Sequence, residues 1–223
     1  MFGDLDPVDT PKTPSLVLEN KRSGVYSDTF DFDVPVTGFG FYLPPASHSD
    51  IPAITVLSYI LGSGDGAVLN KHFIDDTRLA VFTEGYPDIM SGTGIYSYMV
   101  GYFPSKKPKD IKNALFDVIN GLIDDGVSDM QLASAKKQIV SETIFERFSV
   151  NSIASSIGYA EVELGDWNLY EEAIGKYNRV TVDDIHRVLA LYFQADNVVI
   201  YNLTPLHISV FDRVAYRFLD IFQ

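Results

Sequence analysis

The spacing of apolar residues changes near residue 108, and this change constrains the fold more than any other feature of the sequence. Before it, apolar and polar residues alternate in short runs such as "GFGFYLP" and "GTGIYSYMVGYF", which is typical of strands. After it, apolar residues recur every three or four positions, as on one face of a helix. The apolar positions of the first such helix are Ile111, Leu115, Val118, Ile119, Leu122 and Ile123. The chain therefore combines strands in its first half with a block of helices in its second.

The order of the elements excludes both a regular strand–helix alternation and an all-β fold. The predicted strands cover residues 24–34, 38–44, 79–86, 92–103 and 197–203, with a further apolar run at 15–20. The predicted helices cover residues 51–61, 68–76, 111–125, 129–148, 151–164, 166–177, 181–193 and 210–222. We expect an α+β fold with one largely antiparallel sheet and helices mainly on one of its faces.

Local signals predict where several helices begin and end. A serine, threonine or aspartate before a helix can accept backbone N–H bonds, and a Gln or Asp three residues later can bond back. The predicted caps are Ser49 or Asp50, Ser128 with Gln131, and Thr181 with Asp184. Pro52 is tolerated in a first helical turn. Gly126 fits a helix end.

The amino-acid composition limits the classes of molecule that the chain is expected to bind. The chain has 17 Lys and Arg against 30 Asp and Glu, a net charge of −13, and such a surface repels nucleic acid and anionic membranes. It contains no cysteine, which excludes disulfides, thiolate catalysis and cysteine-bound zinc. No apolar run approaches about 18 residues, and the first residues lack the regions of a signal peptide. We expect a soluble chain with no membrane span and no signal peptide in this segment, in a compartment that the sequence leaves open.

The segment "LGSGDGAVLNKHF" raises the question of a phosphate-binding loop. Its glycines are Gly62, Gly64 and Gly66. Their spacing matches neither the Walker nor the Rossmann motif, and Lys71 is out of register for a phosphate-binding lysine. Asp65 would also place negative charge inside an anion site. We therefore interpret the loop as the end of one helix and the start of the next.

A metal site is a competing interpretation of the residues that follow. His72, Asp75 and Asp76 lie at i, i+3 and i+4, so an α-helix would bring them onto one face, with Asp65 as a fourth candidate ligand. A solvated helix face with local ion pairs explains the same spacing. The other histidines are isolated in the sequence, at His48, His186 and His207.

Three stretches together resemble the insulinase, pitrilysin and mitochondrial-processing-peptidase family of zinc metallopeptidases. "MFGDLDPVDTPKTP" is similar to the segment that links the two halves of these proteins. The stretch from "GFGFYLPPASHSD" to "RLAVFTEG" is similar to the start of the second half, where a glycine-rich turn leads to a "GLAY" motif. "VNSIASSIGYAEVELGDWNLYEEAIGKYNRVTVDDIHRVLALYF" resembles a later helical stretch. The resemblance covers nearly the whole chain and indicates the C-terminal half, which does not bind zinc.

The resemblance implies the fold and the division of the chain. We expect residues 1–14 to be a remnant of the linker between the halves, and residues 205–223 to form a terminal helix or linker. Residues 15–204 would form the C-terminal domain, one half of a processing-peptidase-like metallohydrolase. In the family the glycine-rich turn, here residues 62–66, helps to shape the wall of a closed peptide chamber.

The resemblance also implies that the chemistry lies in another half. That half carries His-x-x-Glu-His, which binds zinc and supplies the general base, and this chain has no such motif. We therefore expect no catalytic residue and no cofactor here, and zinc in the partner half. The second half often supplies an Arg and a Tyr seven residues apart that contact substrate or the reaction's oxyanion. Aligning "RLAV" with "GLAY" puts Ile74 and Val81 at these positions, and neither side chain can donate a hydrogen bond. Arg78 and Tyr86 lie nearby but out of register.

Three interpretations follow from the sequence. In the first, the chain closes and lines a peptide chamber opposite a zinc-bearing homologous domain or subunit, is inactive alone, and suits basic peptides because of its net charge. In the second, it is a structural or protein-interaction homologue whose parent protein has no peptidase activity. In the third, it is an independent metal or phosphate binder that uses Asp65, His72, Asp75 and residues 62–66.

Overall fold

The computed structural model describes residues 23–64 and 66–206, which build one five-stranded sheet with helices on one face. The strands are β1 (Gly24–Phe30), β2 (Val36–Leu43), β3 (Ala80–Asp88), β4 (Gly94–Tyr102) and β5 (Val198–Pro205). The helices are α1 (Ile51–Ser58), α2 (Val68–Asn70), α3 (Pro108–Asp125), α4 (Asp129–Glu146), α5 (Val150–Tyr159), α6 (Leu169–Arg179) and α7 (Val182–Tyr192). Three of these helices each continue into a wider, π-helical turn. These turns are Tyr59–Ser63 after α1, Lys71–Asp76 after α2 and Ala160–Leu164 after α5. The predicted α+β class is confirmed.

The strands lie in the order β1-β5-β2-β4-β3. All neighbouring pairs are antiparallel except β1 and β5, which run parallel with Gly24 opposite Val199. The sheet is thus largely antiparallel, as predicted, with one parallel pair at its edge. The predicted run at 15–20 and the predicted helix at 210–222 lie outside the described residues.

The core lies between the sheet and the helices. Aromatic side chains of β2 and β4 project into it and pack against the end of α7, where the Phe193 ring lies 5.0 Å from that of Phe41 and 5.2 Å from that of Tyr96. Helices α1, α3 and α7 supply the opposing apolar side chains, including Leu57, Leu115 and others of the same buried cluster. In α3 and α7 the three- and four-residue spacing therefore marks the side of the helix that faces the core.

The helix signals in the second half of the chain are confirmed. Ser128 accepts the backbone N–H of Gln131, whose side chain bonds back to the Ser128 N–H at 2.8 Å. Thr181 and Asp184 make the same reciprocal pair at the start of α7. Gly126 ends α3 with a φ of 79°, a left-handed conformation that favours glycine.

The predicted cap at Ser49 or Asp50 is wrong in its chemistry. Asp50 occupies the N-cap position of α1, but its side chain makes no capping bond. Its two oxygens instead accept from the Arg187 guanidinium and from the Tyr192 hydroxyl, each at 2.8 Å. A charged donor from α7 outcompetes the local backbone for this buried carboxylate.

The stretch Ile51–Asp76, which includes α1 and α2, is long and apolar enough to cross a membrane by length and composition alone. Within the domain, 59% of the most apolar 18-residue segment of this stretch is buried. Burial of this kind is typical of a core helix, whose apolar residues are used for packing.

Candidate functional site: the open face of the sheet

The face of the sheet opposite the helices, which we call the open face, is left uncovered by the described helices. The strand residues in the buried core alternate along each strand, for example Phe39 and Phe41 on β2 and Tyr96 and Tyr98 on β4. The residues between them point the other way and are half-buried or exposed. By register, the open face comprises Tyr26, Asp28, Gly38, Gly40, Tyr42, Phe82, Glu84, Tyr86, Asp88, Ile95, Ser97, Met99, Gly101, Val199, Tyr201 and Leu203.

The open face carries acidic charge only. None of the five strands contains a Lys, Arg or His. Their charged residues are Asp28, Glu84 and Asp88, all exposed and all on this face by register. Sequence reasoning missed the site, although the lack of basic residues in every predicted strand was a signal for it. A surface of this kind attracts positively charged groups.

The open face contains a shallow trough bordered by aromatic rings. The trough follows β2, where a Cβ added at Gly38 would meet no heavy atom closer than the Tyr201 carbonyl oxygen at 3.9 Å. The Tyr26 and Tyr201 rings stack along one border at 6.3 Å between centroids. On the other side, the Phe82 ring lies over Gly101, where an added Cβ would come within 2.1 Å of it. The trough is therefore open to an extended chain or apolar side chains.

The glycine-rich turn lies behind β3, on the side of the helices. Gly62 packs so closely that an added Cβ would lie 2.8 Å from the Tyr96 hydroxyl and 2.9 Å from the Tyr98 ring. Gly64 ends the extended α1 with ordinary extended backbone, and Gly66 has a φ of 74°. The turn thus ends one helix before the next begins, as interpreted from the sequence.

Hydrogen bonds fasten this turn to the sheet. The Ser63 hydroxyl donates to the Gly85 carbonyl at 2.6 Å. The Asn70 carboxamide oxygen accepts from the hydroxyls of Thr83 and Tyr98, each at 3.1 Å. Burial raises the pKa of Tyr98 well above its usual value of 10, so this phenol remains a donor.

The two positions that align with the family's Arg and Tyr lie at the approach to β3. Ile74 is on the wide turn after α2 and is 39% exposed; Val81 is 45% exposed. Val81 is the extra residue of a bulge, because pairing passes from Ala80 directly to Phe82. Bulges often re-aim a side chain next to a functional site.

The backbone conformation of Arg78 supports the alignment of "RLAV" with "GLAY". It has a φ of 49° and is the one non-glycine residue with positive φ in the described part of the chain. Arg78 stands where the motif has glycine, the residue that favours this conformation. Tyr86, the other nearby residue, lies further along β3 on the open face, opposite Ser97.

The sequence-predicted metal ligands are not brought together. His72, Asp75 and Asp76 lie on the π-helical turn, where the Thr77 N–H bonds to the His72 carbonyl, so the α-helical spacing that would align all three is lost. Within residues 23–64 and 66–206, no group of three His, Asp or Glu side chains could hold a metal ion. Asp65 lies outside the described residues. The described residues therefore do not fit a zinc centre.

The remaining histidines are also apart from one another. His48 precedes α1, and its Nδ1 accepts the backbone N–H of Asp50 at 3.2 Å. His186 on α7 places Nε2 2.9 Å from the Ile123 carbonyl oxygen. His207 lies outside the described residues.

Comparison with known proteins identifies relatives along the sequence. Residues 1–139 match the sequence profile of the family described as the peptidase M16 inactive domain. The uncharacterised zinc protease YmxG of Bacillus subtilis is 22% identical over 157 residues, which are 70% of this chain and 38% of that protein.

Solved structures share the fold. A protease from Helicobacter pylori superposes with a TM-score of 0.81 at 19% identity, over 90% of this chain and 48% of that one. The peptidase M16 inactive domain from Pseudomonas fluorescens superposes with a TM-score of 0.72 at 15% identity, over 91% and 46%. The chain thus spans less than half the length of each of these relatives.

Proposed function

The chain belongs to the peptidase M16 inactive-domain family, and from this premise we propose that it is the non-catalytic half of a zinc metallopeptidase. Its open face would line a peptide-binding chamber, closed on the opposite side by a zinc-bearing homologous half. The observation that carries the proposal is the open face itself, an apolar and acidic surface that the helices of the domain leave uncovered. Zinc bound in the partner half would supply the Lewis acid and activated water.

The residues of this chain would bind and orient the peptide. Extended peptide lies along the trough at Gly38 and Gly40, where apolar side chains contact the bordering tyrosines. Basic side chains of the peptide are attracted to Glu84 and Asp88 along β3. This assignment favours basic and aromatic peptides over acidic ones.

The glycine-rich turn would support the chamber wall from the side of the sheet that faces the helices. Gly62 lets the end of α1 pack closely on Tyr96 and Tyr98 of β4, and the Ser63–Gly85 bond holds the turn to β3. Gly64 and Gly66 complete the turn into α2. This contact fixes the strand that carries the bulge at Val81.

The test is peptidase activity, with zinc, of the chain alone, of its zinc-bearing half alone, and of the two together. We expect cleavage only by the combination, with basic peptides cleaved faster than acidic ones. Activity of the isolated chain would place the chemistry here and overturn the proposal. Inactivity of the folded combination would favour a structural or interaction role.

A matched pair of glycine variants tests the open face directly. Gly38→Val fills the trough at a position where an added Cβ meets no heavy atom closer than 3.9 Å. We expect it to lower kcat/KM of the combination at least about tenfold by displacing the peptide. Gly121→Ala, on α3 with nothing within 4 Å of the added Cβ, should leave kcat/KM unchanged. Equal activity of both variants would remove the open face from substrate binding.

One observation favours the alternative of a structural or interaction homologue without peptidase activity. Ile74 and Val81 offer no hydrogen-bond donor at the positions where the family often has Arg and Tyr. The activity of the combination decides between the two functions.

A further inference from the structure

A cavity of about 580 Å³ opens in the helical layer, between the segment that leads into α1 and the helices α6 and α7. Its described lining residues come from loops and helices, so it is separate from the open face. Its volume falls within the range of sites for small molecules and short peptide segments. No part of the proposed function uses it.

Three cations border this cavity, namely Lys176, Arg179 and Arg187. They stand out in a chain that has 17 Lys and Arg against 30 Asp and Glu. The open face has the opposite sign, since its charged residues are all acidic. The cavity therefore offers cations, which the strands of the open face lack.

The carboxylates near the cavity already have partners. Asp50 is buried and accepts from Arg187 at 2.8 Å. Asp184, which also lines the cavity, accepts the capping bonds of α7 and lies 3.5 Å from Arg187. Glu172 lies 3.3 Å from Lys176, but both side chains are solvent-accessible, and such pairs exchange readily with other ions.

Arg179 is the cation of this cavity that has no carboxylate partner among the described residues. Its side chain is exposed in the last turn of α6, and it makes no ion pair with any described residue. His48 also lines the cavity and accepts the Asp50 N–H at Nδ1, so in the neutral ring Nε2 carries the proton and can donate. The hydroxyls of Ser47 and Ser49 add donors on the same lining.

The remaining lining is mostly apolar and includes Ile51, Leu164 and Leu169. We propose that this cavity binds the carboxyl-terminal residue of a peptide, with its carboxylate on Arg179 and Lys176 and its apolar side chain against this floor. A guanidinium binds a carboxylate through two parallel hydrogen bonds. A free phosphate would use the cations but leave the floor unoccupied. The site is independent of the proposed chamber, because it needs no second half.

The test is calorimetric titration of the chain with acetyl-Ala-Ala-Leu bearing a free carboxylate, and with the same peptide as its C-terminal amide. We expect saturable binding of the acid and at least about tenfold weaker binding of the amide, the size of one lost charge-assisted hydrogen bond. Trp167 is the single tryptophan and lies between two lining leucines in the sequence, so its fluorescence should change with the same affinity.

Two variants locate the site. Arg179→Gln removes the unpaired cation and should weaken binding of the acid about tenfold. Lys137→Gln removes an exposed lysine of α4 outside the cavity and should leave it unchanged. Equal affinity for acid and amide, no saturable binding at millimolar peptide, or equal effects of the two variants would each overturn the proposal. None of these outcomes bears on peptidase activity of the combined halves, so the two proposals fail separately.

Discussion

The Arg187 guanidinium donates from Nη1 to Oδ1 of Asp50 over 2.8 Å, and this pair joins α7 to the start of α1. Asp50 is 4% exposed, and its second oxygen accepts from the Tyr192 hydroxyl. The carboxylate is thus buried with both oxygens bonded, which is the condition under which a protein tolerates a buried charge.

Asp50→Asn should lower the free energy of unfolding by about 2–3 kcal/mol, because both donors lose a charged acceptor. Arg187 is 49% exposed and regains water, which keeps the loss below that of a fully buried pair. Urea denaturation measures the change. Glu172→Gln, which breaks the exposed pair with Lys176, is the control and should cost less than about 0.5 kcal/mol. Equal losses would contradict a special role for the buried pair.

Arg78→Gly should stabilise the domain by about 1 kcal/mol, because glycine relieves the left-handed backbone at this position. Arg78→Ala keeps a Cβ and therefore the strain, so it separates the backbone effect from loss of the guanidinium. Thermal unfolding of the two variants should give the higher Tm for glycine. A higher Tm for alanine would show that φ is not strained there.

Gly62→Ala should destabilise the domain by about 1–3 kcal/mol, since the new methyl group overlaps the two tyrosines behind the turn. Gly121→Ala, which meets nothing, should instead stabilise α3 by up to about 1 kcal/mol. The buried Tyr96 hydroxyl has no hydrogen-bond partner among the described residues, so Tyr96→Phe should be nearly neutral and should partly rescue Gly62→Ala. Strictly additive effects in the double mutant would rule out the contact.

The domain should lose stability in alkali. Burial, followed by the bond to Asp50, raises the pKa of Tyr192 from 10.0 to about 12, and burial, followed by Glu163, raises that of Tyr159 to about 12. The unfolded chain releases these protons near pH 10, before the folded one does, so stability is full below pH 10 and falls as the pH rises to 12. Urea midpoints across this range measure the effect. The variant with both tyrosines changed to Phe should show a shallower decline, and an unchanged slope would contradict the assignment.

Ile74→Arg combined with Val81→Tyr should raise the activity of the combined halves about tenfold or more, by restoring donors for substrate and oxyanion. Ile74→Arg with Val81→Phe is the matched control, because it adds the ring without the hydroxyl. Steady-state kcat of the two combinations makes the comparison. Equal rates would mean that the bulge does not direct this side chain to the reacting bond.

Local contacts were the predictable part of this fold. The Ser128–Gln131 and Thr181–Asp184 pairs join residues three positions apart, so residue type and spacing are sufficient to predict them. Asp50 has the residue type of a cap, but its acceptor oxygens are taken by a donor 137 positions away, which no local pattern encodes.

The candidate sites depend on distant pairings in the same way. Alternation along β2 indicates two faces, but only pairing with β4 and β5 shows which side chains share the open face. The cavity unites residues near His48 with Arg179 and Arg187, which helix packing brings together. The resemblance to a family predicts how such distant segments pack together, whereas the periodicity of apolar residues does not.

The place of β5 between β1 and β2 also determines an order of assembly during synthesis. Of the described strands, β1 leaves the ribosome first, whereas its partner β5 is made last. Until β5 emerges, β2 is the edge of a three-stranded antiparallel sheet, with its peptide groups facing the slot that β5 will fill. Among the described strands, β1 is therefore the last to join the sheet, and it stays unpaired until β5 has been translated.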